Sequence, residues 1–186
     1  MTFRAANGLC QLAMLLARDA GLRHRSIVEI AAVNCDFNKR LLSGKTKGGA
    51  TYSVPMTKRL YERLLFVCAQ TNSKLEPLLA TFRGRNKPPA YGSISDALRT
   101  AKAIAKVETP WGLHDLRRTG ARALYERTHD LRKVQRFLSH SNMQQSCWYL
   151  GASGIDLSPG DLEPTSPYSN EPEANEPTPP AEKQIA

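Results

Sequence analysis

One stretch of alternating residues stands out in a chain otherwise patterned for helices, and it limits the folds available to the sequence. The stretch FNKRLLSGKTKGGATYSVPM, residues 37–56, has apolar residues at Leu41 and Leu42, a turn rich in Gly and Lys, and alternation that ends at Pro55. A Gly-rich turn between such segments is typical of a β-hairpin. The sequence therefore predicts a small antiparallel sheet in a mainly helical α+β fold.

Apolar residues at helical spacing flank this hairpin on both sides. The first such helix covers residues 8–20, and Gly21 follows it as a C-terminal glycine. Ser26 and Glu29 have the spacing of a capping box, which predicts that a second helix begins at Ser26 and leaves Arg23 in a tight corner. Further helices are predicted after three capping residues: Thr57, Ser93 and Asp130.

The segment GLHDLRRTGARAL, residues 112–124, predicts a helix with two distinct faces. Its apolar residues form one stripe: Leu113, Leu116, Gly120, Ala123 and Leu124. His114 and Arg117 are three positions apart, so on a helix their Cβ atoms lie within about 5–6 Å of each other. A pair of side chains so rich in hydrogen-bond donors suits an anion.

Charge is distributed unevenly along the chain. Residues 151–186 hold seven acidic residues, one basic residue and seven of the twelve prolines, whereas residues 1–150 carry 25 basic residues against 10 acidic ones. The terminal segment lacks the apolar surface needed to fold, so we expect one domain over residues 1–150 and a disordered acidic tail. The basic excess favours nucleic acid as a partner; anionic lipid, or no polyanion at all, is the alternative.

The sequence disfavours three other classes of protein: zinc-binding, secreted and membrane-spanning proteins. The four cysteines are widely spaced: Cys10, Cys35, Cys68 and Cys147. They form neither a Cys-x-x-Cys pair nor a zinc-site spacing with histidine, so we expect reduced thiols and no metal. Because the sequence shows no secretory signal and no apolar run near the ~20 residues of a membrane span, we expect a cytoplasmic protein, associated with the nucleoid if it binds DNA.

Five motifs follow one another in a characteristic order. They are GLR ending at Arg23, the lysine-bearing hairpin closed by Pro55, HDLRRTGA with His114 and Arg117, FLSHSN with His140, and Tyr149 nine residues after that histidine. Taken singly, each polar residue is more often structural or solvated than catalytic. In this order and spacing they resemble the catalytic domain of the tyrosine recombinases, the phage integrase family, over about residues 8–150.

The resemblance implies an enzyme that breaks and rejoins DNA strands without a metal or a cofactor. In this family a tyrosine hydroxyl attacks a DNA phosphodiester, which gives a 3′-phosphotyrosyl link and a free 5′-hydroxyl, and a second strand reverses the step. We therefore expect a site-specific recombinase or integrase of a mobile element. It would act on double-stranded DNA as a homo-oligomer, for which a tetrameric synapse is one candidate assembly.

By resemblance, five side chains would surround the reacting phosphate. Tyr149 would be the nucleophile, and Arg23 and Arg117 would clamp the phosphate, because guanidinium groups match the geometry of phosphate oxygens. His114 would accept the tyrosine proton or hydrogen-bond to the hydroxyl, since a tyrosine with a pKa of about 10 must lose its proton during attack. His140 would donate a hydrogen bond to a non-bridging oxygen.

A lysine of the hairpin would protonate the leaving 5′-oxygen. Lys45 and Lys47 are the two candidates. Family members often place this lysine eight residues before the proline that ends the second strand, and counting back from Pro55 gives Lys47. Lys47 is therefore preferred, and Lys45 stays as the alternative.

The sequence also departs from the family pattern. Ser139 replaces the usual glycine before His140, and Ser26 replaces an acidic residue three positions after Arg23; we expect both to tune the site. Arg23 lies only 22 residues from Met1. We therefore expect a chain without the N-terminal core-binding domain of family members, which would be a truncated integrase, a compact relative or one domain of a longer product. We therefore expect weak DNA binding with poor sequence discrimination.

Two other functions stay open beside that of a recombinase. A truncated DNA-binding remnant or accessory protein would keep the fold and the basic surface without recombining. A relaxing enzyme like the type IB topoisomerases would share the site and differ in its assembly.

Overall fold

Short helices form most of the chain, with a small sheet between the second and the third. The computed structural model describes residues 6–45, 49, 51–71, 73–83 and 91–150. Within these ranges the helices are α1 (Gly8–Asp19), α2 (His24–Glu29), α3 (Lys58–Cys68), α4 (Tyr91–Ile104), α5 (Leu113–Thr128), α6 (Leu131–Leu138) and α7 (Met143–Leu150). The strands are β1 (Cys35–Asp36), β2 (Leu41–Lys45) and β3 (Thr51–Pro55), and two 3₁₀ turns span Ala32–Asn34 and Leu78–Arg83. The predicted α+β class is confirmed.

Some sequence-based predictions fall outside the described ranges. The acidic tail over residues 151–186 is one of them, and most of the hairpin turn, including Lys47, is another. None of the helices in the described ranges has the length and apolar character that crossing a membrane requires.

The predicted hairpin forms, and β1 adds a third strand to it. The sheet is antiparallel in the order β1-β2-β3, and its register pairs Leu42 with Val54 and Ser43 with Ser53. Leu42, Tyr52 and Val54 are buried against the core, while the two serines are exposed on the other face. The alternation that predicts the hairpin thus results from a sheet with one buried and one solvated face.

Helix α1 is the centre of the core and packs against α3, α4 and α5. Residues such as Leu12, Leu16 and Ala17 are completely buried. The crossing with α5 is closest at Gly120, where an added Cβ atom would lie 1.9 Å from the carbonyl oxygen of Arg18. A glycine at this position therefore lets the two helix backbones touch.

The corner after α1 forms as predicted at Gly21 and differently from the prediction at Ser26. Gly21 adopts a φ of +62°, and the amide of Leu22 donates to the carbonyl of Leu16 over 3.1 Å. Because this left-handed turn reverses the chain within two residues, α2 begins at His24, with Arg23 in an extended conformation before it. The predicted capping box is therefore wrong, since Ser26 lies inside α2.

The start of α4 and the buried face of α5 also differ from the predicted ones. Helix α4 begins two residues before Ser93, and Ile104 in its last turn is 64% exposed because the chain turns away there. On α5, Ala123 is exposed, whereas Ala121 is completely buried beneath α6 and α7. Arg117 is buried as well, and the reason lies in the functional site.

Candidate active site

Five of the six predicted site residues line one open cavity of about 400 Å³. They are Arg23, His114, Arg117, His140 and Tyr149, with Arg118 and Gln145 completing the wall. Arg23 immediately precedes α2, two residues come from α5, His140 lies between α6 and α7, and the tyrosine lies on α7. The fold thus brings together side chains that are far apart in sequence.

Arg117 is the anchor of this cavity and is only 3% exposed. Its Nη1 donates to the carbonyl of Gly21, and its Nη2 donates to the carbonyl of Leu138 over 2.6 Å. The guanidinium therefore ties the corner that carries Arg23 to the end of α6, next to His140. Burial, with a further contribution from the charge of Arg23, lowers the pKa of Arg117 to about 10, so it stays cationic at physiological pH.

His140 lies between Arg117 and a buried hydroxyl. Its Nε2 is 3.5 Å from Nη2 of Arg117, and its Nδ1 is 3.1 Å from Oγ of Ser146, a residue with no exposed surface. Burial, with the nearby charges of Arg117 and Arg23, lowers the pKa of His140 to about 4. The imidazole is therefore neutral at physiological pH. Arg117 has donors only, so when Nε2 accepts from Arg117 the proton lies on Nδ1, which donates to Ser146; in the other tautomer Ser146 donates to Nδ1, and Nε2 carries the proton and can donate to a ligand.

Tyr149 points into the cavity from α7. Its ring meets the imidazoles of His114 and His140 edge to face, with centroid distances of 5.1 and 5.5 Å, and the guanidinium carbon of Arg117 lies 5.8 Å from the ring centroid. Burial raises the pKa of Tyr149 and outweighs the opposing effect of the neighbouring arginines. The phenol is thus protonated until it reacts.

The hydroxyl of Tyr149 donates to the backbone carbonyl of His114 over 3.1 Å. The imidazole of His114 packs against the tyrosine ring and does not accept this hydrogen bond, so its expected part in proton transfer stays a prediction. His114, Arg23 and Arg118 are exposed at the rim of the cavity, where they can meet a ligand from solvent.

Lys45, the candidate lysine that the structure describes, is not part of this wall. Lys45 is exposed at the end of β2 and lines a separate cavity with Glu29 and Tyr52. Lys47 lies outside the described residues, and the choice between the two lysines stays a prediction.

Sequence reasoning assigned no role to two groups that hold the site together. Ser146 positions His140 by the contact described above, and Gln135 Nε2 donates to the carbonyl of His140 over 3.1 Å. The sequence signal for Ser146 is its place three residues before Tyr149, on the inward face of the same short helix.

The fold is that of a tyrosine recombinase catalytic domain. The phage integrase family model matches residues 5–153, and the chain belongs to this family. No curated protein matched the chain at a significant level.

Several solved structures are similar to the chain. The XerA recombinase has 16% identity and a TM-score of 0.69, over 87% of this chain and 58% of that chain. A lambda integrase dimer bound to a COC′ core site has 20% identity and a TM-score of 0.65, over 84% and 47%. The integrase from mycobacterium phage Brujita has 26% identity and a TM-score of 0.60, over 78% and 47%. This chain thus spans about half the length of each of these three structures.

Proposed function

We propose that this chain is the catalytic domain of a site-specific DNA recombinase or integrase that works through a 3′-phosphotyrosyl intermediate. The observation that carries the proposal is the meeting of Tyr149 with Arg23, Arg117 and His140 around one cavity, in a member of the phage integrase family. Among the residues that the structure describes, no acidic side chain lines this cavity, so its electrostatic potential favours a phosphate.

A phosphodiester in the cavity would meet donors on several sides. Arg23 at the rim and Arg117 at the base would contact non-bridging oxygens, and neutral His140 would donate from Nε2. Such preorganised donors stabilise the charge that develops on the phosphorus oxygens during attack, with no reorganisation at the moment of reaction. Side chains alone would supply this charge stabilisation, so we propose that no divalent ion is required.

The covalent step exchanges one phosphoester bond for another. The oxygen of Tyr149 would leave the carbonyl of His114 and form a bond to phosphorus, while the bond from phosphorus to the 5′-oxygen breaks. The phenol proton would pass to the imidazole of His114, and the leaving oxygen would take a proton from a hairpin lysine, with Lys47 preferred over Lys45. Attack by the 5′-hydroxyl of a second strand would reverse both transfers.

The partner that this chemistry requires is double-stranded DNA, held by more than one copy of the protein. The lambda integrase similar to this chain is a dimer bound to a core site. We propose that this chain also acts as a homo-oligomer on DNA, and that exchange between two duplexes would take place in a tetramer.

A covalent-trapping assay tests the function. The protein is incubated with plasmid DNA and with a pool of random-sequence duplexes in EDTA, and detergent then denatures it so that only covalently attached DNA is retained with it. We expect retained DNA from the parent and none from Tyr149→Phe. Tyr125→Phe is the matched control, because Tyr125 lies on α5, packs against His129 just beyond the end of that helix and does not line the cavity.

Two results would contradict the proposal. Binding of DNA without any adduct would assign the chain to a non-recombining DNA-binding protein, and an adduct that survives in Tyr149→Phe would move the nucleophile elsewhere. Sequencing the retained duplexes would identify the cleaved site.

A further inference from the structure

A second basic cavity adjoins the candidate active site. It has a volume of about 490 Å³ and shares Arg23, His114 and Arg117 with the first cavity. Leu22 and His24 extend the shared wall, and helix α4 and the segment that leads into α5 contribute Leu98, Arg99, Lys102 and Trp111. None of these four residues belongs to the catalytic set that the sequence predicts.

The charge of this second cavity has a single sign. Arg99 and Lys102 add to the two shared arginines, and no carboxylate from the described part of the chain lines the wall. The carboxylate of Asp96, 2.9 Å from Arg99, belongs to an exposed ion pair, so it offsets little of this charge and gives way readily to a phosphate. Four cations around one cavity repel one another, and an anion between them relieves this repulsion.

Lys102 is held in place in a way that surface lysines usually are not. Its Nζ donates to the backbone carbonyl of Trp111 over 2.8 Å and lies 5.5 Å from the centroid of the Trp111 ring. An ammonium group has three N–H donors, and the carbonyl takes one of them. These contacts already restrict the conformations of the lysine side chain, so binding of a ligand costs less side-chain entropy.

Two apolar side chains line the same cavity. Leu98 is buried and Trp111 is half-buried. A cavity that combines cations with apolar surface suits a sugar–phosphate unit, because the phosphate meets the charges and the deoxyribose packs on the apolar side chains.

We propose that this cavity binds the phosphodiester next to the scissile one on the same strand, with Lys102 and Arg99 as its ligands and Trp111 against the intervening deoxyribose. The inference rests on the proposed function, because the scissile phosphate in the first cavity defines its neighbour. Consecutive phosphates are joined by a single sugar, and the two cavities share a wall of three residues. Holding the neighbour fixes the register of the strand before Tyr149 attacks.

The salt dependence of DNA binding tests the proposal. Binding of a fluorescein-labelled random duplex is followed by anisotropy, with all variants made in the Tyr149→Phe background so that no adduct forms. Lys102→Gln removes the charge and keeps an N–H donor for the carbonyl of Trp111. We expect the slope of log affinity against log salt to fall by about 0.9 and the affinity to drop about tenfold at low salt.

Arg99→Gln should lower the slope by a similar amount, and Lys102→Arg should restore most of the affinity. Lys58→Gln is the control, because Lys58 is exposed on α3 and lines neither cavity. A slope for Lys102→Gln equal to that of Lys58→Gln would overturn the subsite.

Cleavage provides a second test at the site found by adduct sequencing. Substrates with one uncharged methylphosphonate on either side of the scissile phosphate are compared in the Tyr149 parent and in Lys102→Gln. At one of the two positions the methylphosphonate should slow cleavage by the parent, and at that position it should not slow cleavage by Lys102→Gln any further. Additive losses at both positions would refute the subsite. If adducts form normally while these tests fail, the proposed function stands without the subsite, whereas absence of any adduct contradicts the function itself.

Discussion

Replacing Gly120 by alanine tests the packing that holds the site in register. An added Cβ atom would lie 1.9 Å from the backbone carbonyl oxygen of Arg18, and contacts below 3.0 Å are essentially never adopted by real Cβ atoms. The two helices would have to separate by about 1.1 Å to reach even that limit. Because the obstacle is backbone, no side-chain rotation relieves it.

The expected cost follows from what lies between the helices. A gap of this size forfeits roughly a quarter to a half of the dispersion energy of each contact across it, and overpacked cores lose about 1–3 kcal/mol. Alanine gains up to about 1 kcal/mol over glycine in a helix interior. We therefore expect Gly120→Ala to lower the free energy of unfolding by about 2 kcal/mol, which corresponds to a fall of roughly 4–8 °C in the melting temperature.

Gly92→Ala is the matched control. Gly92 lies on α4, and an added Cβ atom there would meet nothing within 4 Å. Alanine should leave stability unchanged or raise it by up to about 1 kcal/mol. Urea denaturation followed by circular dichroism measures both variants. Equal stability of the two would refute the claim that the crossing of α1 and α5 depends on a glycine at position 120.

Two further predictions concern the cavity itself. Burial and then the charge of Arg117 lower the pKa of His140 from 6.5 to about 4. Between these pH values the unfolded chain binds more protons than the folded chain. The free energy of unfolding should therefore fall as the pH falls from about 6.5 to 4. Urea denaturation at a series of pH values measures this dependence, and His140→Gln should flatten it between pH 6.5 and 4. The same pH dependence in His140→Gln and in the parent would contradict the lowered pKa of His140. Arg117→Lys keeps a charge but cannot bridge the carbonyls of Gly21 and Leu138, so it should slow adduct formation at least about a hundredfold. In anisotropy, its DNA binding should change far less, and an adduct rate close to that of the parent would refute the bridging role.

Local sequence predicts the parts of this fold that local physics determines. Gly21 was predictable because only a residue that tolerates positive φ can end α1 with such a reversal. The burial of Tyr52 and Val54 was predictable because strand residues alternate between faces. The start of α2 was not, since a capping box at Ser26 and an earlier start at His24 are both compatible with the local sequence, and tertiary packing of the corner decides between them.

The burial of Arg117 could not be read from the sequence for a similar reason. On a helix it pairs with exposed His114 and appears as a solvated charge by pattern alone. Its position depends on two carbonyl groups that lie 96 and 21 residues away along the chain, at Gly21 and Leu138. Only the assembled fold places both carbonyls within reach.

This burial links the stability of the domain to its chemistry. A cation removed from water and placed beside Arg23 is unfavourable by itself, as the lowered pKa of Arg117 indicates. Hydrogen bonds to two carbonyls offset part of this cost, but a carbonyl carries no net charge, so the repulsion between the two guanidinium groups remains. Under the proposed function, a phosphate in the cavity would supply the missing negative charge and contact both. We therefore expect the ligand-free domain to hold Arg117 at an electrostatic cost that DNA binding would reverse.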